Sequence, residues 1–430
     1  MSLLMNIRGY CEGGDETQLQ LALEELLTRH VSSGQLAELG EGADGLLSYE
    51  THTKAIVYVI LKLLTSAEFL SQHRRRALGL CESLFANGRF LGISEQDRVT
   101  LNLVSRHYAH VSSSASLADG LKAREHLTTL VTRLHPELIV DPDAKPDSSS
   151  TTPVIPQHVD LLSVMVAGKF YHEALQFVGR LDFARLQEGA GIRPVDVAML
   201  CHLTGLTHLG VGDCAAALRA MRRAFLLPPS QGLLAVWVPC FKKAVLLDIL
   251  VAQGKGRAPV VGNQRVAAEL RLRCEEYLQF QALFVLRDRA QLGVLVSRAF
   301  DQFSGDRNFG LVKRCLNHLD SLIVCEFART HLSVSLDTVA RAVEKSPVEA
   351  AKLALSLISS GKLSAQIHER EGVITFLQPS ADLPALEQQL VSRIERTLCA
   401  VDTFKRAERA LLSDERVLFA NSMASSRSEF

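Results

Sequence analysis

Near the end of a chain otherwise written in helical grammar stands AQIHEREGVITFL, residues 365–377. Two short extended runs, Ala365–Glu369 and Val373–Phe376, flank Arg370-Glu371-Gly372. Glycine in a three-residue connection is a hairpin signal. A lone hairpin is marginal in water, so it needs another strand or a helical surface to pack on. The preceding residues supply both. Residues 308–330 predict a long helix with Leu311, Val312, Cys315, Leu319, Leu322 and Ile323 on one side. HLSVSL, residues 331–336, alternates like a strand. A short helix follows, with Ser335 or Asp337 as its N-cap. Ser346-Pro347-Val348-Glu349 then opens another helix with a cap, a proline at the first helical position and an acid in the first turn. It runs to Ser360 and stops at Gly361. The order is helix, strand, helix, helix, strand, strand.

That is the order of a winged helix, with the hairpin as its wing. Upstream, leucine and alanine dominate and no period-2 run is sustained. The reading is mostly α: a TPR/HEAT-like helical-repeat solenoid, a winged-helix module and a long C-terminal helix. Residues 1–140 predict a first set of helical repeats, including one helix over 15–40 and others at 51–64, 77–87, 95–111 and 117–134. DPDAKPDSSSTTPVIP, residues 141–156, reads as a flexible Ser/Pro linker. Residues 157–305 predict further repeats. Within them, GLTHLGVGDCAAALRAMRRAFLLPP places Gly205, Ala217, Met221, Ala224 and Pro229 at the small and large positions of a paired-helix repeat. Residues 306–380 are the winged-helix subdomain, 381–412 a final helix and 413–430 a disordered tail.

The chemistry of a catalyst is missing from this text. Lys+Arg and Asp+Glu balance at 47 each, which leaves no global field to gather nucleic acid or anionic membrane. The patch His73-Arg74-Arg75-Arg76 reads as a solvated helix face. Nine scattered cysteines, none at C-x-x-C spacing, read as small hydrophobes of a reduced, intracellular protein. The opening MSLLMNIRGYCEGG lacks the apolar core of a signal peptide. No H-E-x-x-H or G-x-S-x-G occurs. Gly254-Lys255-Gly256 lacks the spacing of a phosphate loop and has Arg257 where a hydroxyl must follow. His107 and His110 share a helical face but have no evident third ligand. No catalytic, cofactor or metal site is expected. The second helix of the winged module, PVEAAKLALSLISSGK, offers Lys352 and Lys362 against Glu349, without Arg, Asn or Gln to read bases, so protein contact is the better reading.

The final helix carries Leu383, Leu386, Leu390, Ile394, Leu398, Val401, Phe404 and Leu411 as a stripe down one face. The winged helix before it is already complete, so the stripe must find a surface on its own chain or on a partner. Helical repeats, winged helix and long amphipathic helix together resemble the PCI-domain family, scaffold subunits of the proteasome lid, the COP9 signalosome and translation initiation factor three. DRNFGLVKRCLNHL (residues 306–319), HLSVSLDTVARAV (331–343), IHEREGVITF (367–376) and, upstream, FYHEALQFV and FKKAVLLDILVAQGK are most similar to a signalosome member. The resemblance covers about residues 157–380.

It implies a non-catalytic scaffold, with other PCI subunits as partners and an indirect link to a metalloprotease subunit and cullin-based ubiquitin ligases, in cytoplasm and nucleus. A proteasome-lid subunit is the alternative, and a DNA-binding regulator a more distant one. Assembly through the edge of the winged-helix sheet assigns Leu332, Val334, Ile367, Val373, Ile374 and Phe376 to the interface, beside the stripe.

Overall fold

The computed structural model describes residues 2–29, 31, 33–90, 94–114, 117–134, 152–186, 191–230, 232–252, 258–368, 370–377 and 383–413. They divide into two compact units, Met1–Leu319 and Asp320–Phe430.

The first unit opens with α1 (Ser2–Gly13), α2 (Glu16–Thr28), α3 (Ser33–Leu46), α4 (Thr53–Thr65), α5 (Ala67–Asn87), α6 (Glu95–Ser113) and α7 (Leu117–Leu134). The helix expected over 15–40 is two helices. Arg29 is extended at ψ 135°, which breaks the helical ladder, and α3 restarts four residues later. Three of these starts are written locally. Asp15, Ser66 and Ser94 each accept a backbone N–H with their side chains at the N-caps of α2, α5 and α6. Buried helix α4 is apolar nearly all round, and its Lys62 caps the end of α2, with Nζ 2.8 Å from the carbonyls of both Leu27 and Arg29.

The Ser/Pro segment is a correction. Residues 141–151 lie outside the described residues, but Thr152–Val154 is a strand, β1, and Ile155 and Pro156 are buried. After α8 (Pro156–Ala167) and α9 (Tyr171–Gly179), the strand β2 (Leu181–Leu186) returns to pair with β1 in parallel. The two-helix crossover supplies the length that a parallel pair requires. The β-branched run Thr152, Val154, Ile155 drives it, since Val154 and Ile155 are almost wholly buried.

The helices before and after that segment share one core, which runs from Leu4 to Leu203. A buried polar knot ties them. Ser105 Oγ on α6 donates to Asp160 Oδ2 on α8 at 2.5 Å. Arg106 lies 3.6 Å from Asp160 and 2.6 Å from Asp196, the third residue of α10 (Pro194–Val211). Gln157 also donates to Asn102. Burial pushes the Asp160 carboxyl up to about 7, against the pull of Ser105 and Arg106. Burial also raises Asp196, but the hydrogen bond from Arg193 and the charge of Arg106 bring it below its ordinary value.

Helix α11 (Cys214–Ala224) packs on α10 at a close crossing, followed by α12 (Leu233–Val251). The crossing is close because Gly205 has no side chain: a Cβ there would lie 2.6 Å from Met221 Cγ. Ala217, Met221 and Ala224 are fully buried. Next come α13 (Gln264–Arg273), α14 (Glu275–Leu286), α15 (Arg289–Arg298), α16 (Phe300–Gly305) and α17 (Phe309–Thr330). A polar clamp fixes the start of α17. Asp306 accepts from Lys242 Nζ at 2.7 Å and from the Tyr277 hydroxyl at 2.8 Å. Asn308 donates to that hydroxyl at 2.9 Å and accepts from Lys243 at 2.7 Å. On α17, Leu311, Val312, Cys315 and Leu319 are buried in the first unit. The division between units falls inside this helix, at 319/320, not at 306 where the winged-helix subdomain is expected to begin.

Candidate assembly surfaces

The second unit is built around a three-stranded antiparallel sheet. Its strands are β3 (Ser333–Ser335), β4 (Ala365–His368) and β5 (Val373–Phe376), in the order β3-β5-β4. Gly372, at φ +61°, takes the left-handed conformation that turns the hairpin. Ser335 Oγ caps α18 (Leu336–Val343), accepting from the Thr338 amide at 3.2 Å. Ser346 and Glu349 make a reciprocal capping box at the start of α19 (Pro347–Ser359), with Pro347 at its first position. Both helices bury their inner faces on the sheet, in a core that includes Val324, Val339, Val343, Ala350, Ala354 and Leu357.

That core claims part of the expected interface. Val334, Ile374 and Phe376 are at most 8% exposed and belong to it, and Ile367 packs against it half-buried. In a strand, alternate residues face opposite sides, so Ile374 and Phe376 point together at the helices. Their apolar character marks the module's own core and not a partner surface. Val373 is half-buried. Leu332 alone of the six is open, 75% exposed.

What the sheet offers outward is backbone. The Phe376 amide donates to the Leu332 carbonyl at 2.8 Å and the Leu336 amide to the Gly372 carbonyl at 2.7 Å. By antiparallel alternation, Leu332, Val334 and Leu336 bond inward, and Ser333 and Ser335 turn outward. On the other side the Leu377 amide donates to the Ser364 carbonyl at 2.8 Å, which turns Ala365 and Ile367 outward. Ser335 already serves α18. The β4 edge is the longer of the two, and although Ala365 is only 8% exposed, Ile367 is half-buried on it, and such an edge is the kind to which another strand adds.

The second surface is α20 (Leu383–Ser413). Leu390, Ile394, Leu398, Val401 and Phe404 are 51%, 58%, 59%, 42% and 76% exposed. Val391 joins them at 53%. The side chains of Leu383, Leu386 and Leu411 lie outside the described residues. Ser392 is half-buried, and every other described side chain of α20 is exposed, so the stripe is not used by this chain's own core. The second winged helix, α19, is half open. Its open face carries Val348, Lys352 and Leu355 beside Glu349.

The helix-strand-helix-helix-strand-strand order and the sheet register now meet an independent finding: residues 297–378 match the family model described as "PCI domain". That stretch is matched as a PCI domain. Curated relatives agree. The chain is 23% identical over 230 residues to COP9 signalosome complex subunit 3 of Dictyostelium discoideum, a match that spans 54% of this chain and 55% of that protein. It is 24% identical over 149 residues to COP9 signalosome complex subunit 3 of Drosophila melanogaster, spanning 34% of this chain and 33% of that one. The matched stretches thus cover about half and about a third of those relatives. The resemblance to a signalosome PCI subunit is borne out, and both of these relatives are named as subunit 3.

Among the described residues no cluster of three or more His, Cys, Asp or Glu is placed to hold a metal. His107 and His110 do not gain a third ligand there. Gly254-Lys255-Gly256 lies outside the described residues. Two arginines of the basic run bind within the fold, Arg74 to the Val111 carbonyl and Ser114 and Arg76 to Glu41 at 2.8 Å, while Arg75 is exposed. One contact escaped the sequence, because its residues are 38 positions apart: Cys240 Sγ lies 3.0 Å from His202 Nδ1. Burial pushes the thiol far above its ordinary range and the imidazole down to about 4. Both are neutral at pH 7, the opposite of a thiolate-imidazolium nucleophile.

Proposed function

We propose that this chain is a non-catalytic scaffold subunit of a COP9 signalosome, in the position of subunit 3, supporting the removal of a ubiquitin-like modifier from cullins by a separate metalloprotease subunit. The observation that carries this reading is the bare apolar face of α20, at Leu390, Ile394, Leu398, Val401 and Phe404, in a PCI chain whose own core is complete without it. Exposed apolar stripes of that extent mark interaction surfaces. The named relatives, both signalosome subunits, support the choice of complex. In this reading, α20 joins a bundle with helices of other PCI subunits, and the β4 edge accepts a neighbour's strand. The particle works in cytoplasm and nucleus.

The test is purification of the tagged native protein, with sizing and identification of what accompanies it. A particle of several hundred kilodaltons with a metalloprotease subunit and cullins supports the proposal. ATPases and proteolytic core subunits would place the chain in a proteasome lid, and a lone monomer would refute both. Fluorescence imaging of the tagged chain checks the compartment.

A further inference from the structure

The stripe of α20 is closed at each end by a charge. Glu387 and Lys405 are 18 residues apart. That is about five full helical turns, so the two lie on one line along the helix. Between them on that line stand Ile394, seven residues after Glu387, and Leu398, seven before Lys405. Both charged side chains are exposed, and among the described residues neither has a hydrogen-bond or ion-pair partner. An acid and a base thus bracket the open apolar run Leu390, Val391, Ile394, Leu398, Val401 and Phe404.

This order is self-complementary in one direction only. When two such helices pair antiparallel about a twofold axis at Arg396, Glu387 of each meets Lys405 of the other. The same register sets Val391 against Val401 and Ile394 against Leu398, and it brings Leu390 to Phe404 along one rim. A parallel pair in register sets Glu387 against Glu387 and Lys405 against Lys405, which is repulsive. Opposite charges along an apolar seam fix register and direction in this way.

The other described charges of α20 do not reverse the balance. At about 100° per residue, Arg393, Arg396 and Arg406 turn well away from the line. Asp402 and Arg409 flank Lys405 and offset each other. Glu395 lies at the rim beside its own counterpart, and that like-charge contact weakens the pair. The apolar run is also short beside the roughly 20–30 residues a side of a stable interface, so the dissociation constant is on the order of 10–100 µM.

We propose that α20 of the free chain pairs antiparallel with α20 of a second copy, held in register by reciprocal Glu387–Lys405 ion pairs. Resting on the reading of α20 as an assembly face, this pairing is what covers the face outside the particle. It hides Leu390 and Ile394 from other subunits, so a copy must leave its dimer before its helix enters a bundle.

Sedimentation equilibrium of the purified full chain over about 1–200 µM tests the pairing. A reversible monomer–dimer equilibrium is expected. Glu387→Lys and Lys405→Glu should each weaken it about tenfold or more, since each puts two like-charge contacts into the seam. The double variant exchanges both charges and should regain dimerisation to within about threefold of the native chain, with melting curves unchanged throughout because both residues are exposed. A native chain that stays monomeric over the range overturns the proposal. So does a dimer that both single variants retain, or one that the double variant fails to restore, because a parallel pair or another surface behaves that way. Purification from extract keeps the scaffold reading separate. A monomeric chain that still enters the particle refutes the pairing alone, and a dimer that never enters one refutes the scaffold alone.

Discussion

Replacing Leu390 and Ile394 of α20 by aspartate separates assembly from folding. The two side chains are one helical turn apart and 51% and 58% exposed, so about half of each remains to be buried by a partner. Full burial of such a side chain is worth roughly 1.5–3 kcal/mol, so the missing half of both contributes about 1.5–3 kcal/mol to association. Two carboxylates carried into an apolar contact add a desolvation cost of several kcal/mol. The total is at least about 4 kcal/mol, or roughly a thousandfold in affinity. Within the monomer the same changes touch no core. Surface substitutions of this kind shift stability by about 0.5 kcal/mol or less each. Cys399→Asp with Thr403→Asp is the matched control, since these exposed residues are also four apart but lie on the opposite side of α20. The assay is size-exclusion of the tagged variant from cell extract, beside thermal melting of the purified chain. The expected result is loss of the high-mass particle for the first pair only, at unchanged melting temperature. Unfolding of the first variant would show that the stripe is core. Retention in the particle, or equal loss by the control, would show that it is not the contact.

Three further outcomes test the interior. Gly205→Val brings a branched side chain to a place where the first carbon already meets Met221 Cγ at 2.6 Å and the Ala217 carbonyl at 3.3 Å, so a loss of about 1–3 kcal/mol in urea unfolding is expected. Combined with Met221→Ala it should cost less than the sum of the two single changes, and strict additivity would reject the close crossing. Tyr277→Phe leaves Asn308 without an acceptor beside α17 and should cost about 1–3 kcal/mol in the same assay, whereas a neutral effect would mean that the clamp is idle. Asp160 tests the polar knot by pH. The folded chain holds its proton to about pH 7 and the unfolded chain releases it near 3.8, so stability from this group is greatest at low pH and falls as pH rises across that window. Asp160→Asn cannot ionise, so the urea midpoint of the native sequence should drop relative to the variant between pH 5 and 8; parallel profiles would contradict the burial argument.

What could be read in the sequence was what is decided locally. Ser346, Pro347 and Glu349 announced the start of α19, Gly372 the hairpin and Ser335 a cap, because each satisfies or bends backbone within a few residues. Gly205, Ala217 and Met221 stood out because a close helix crossing needs a small residue opposite a large one. Features decided by distant partners stayed hidden. β1 lies in a Pro/Ser/Thr stretch and is a strand because β2, some 30 residues on, pairs with it. Asp306 and Lys242 meet across 64 positions, and no local pattern joins them. The interface residues show the same limit. Alternation marked Val334, Ile374 and Phe376 as apolar but could not say whether α18 and α19 or a neighbour would cover them. On α20 the pattern marked a stripe, and only the completed core of the second unit shows that this stripe is left over.

The two proposed surfaces would divide the work of assembly differently. A strand added at the β4 edge bonds to the backbone of Ala365 and Ile367, and backbone is the same whatever the side chains are. Such a contact tolerates sequence change, which suits relatives that share 23–24% identity over the matched stretches. By the same token it discriminates poorly, since any exposed edge of suitable twist would do. Discrimination must come from side chains, as a difference in affinity between right and wrong partners. On the second unit the longest run of open apolar side chains for that task is that of α20, because Val334, Ile374 and Phe376 are committed to the module's own core. Edge variants should therefore weaken assembly with all neighbours alike. Stripe variants such as Leu398→Asp should change which neighbours are recovered, and equal loss of every partner from a stripe variant would contradict this division.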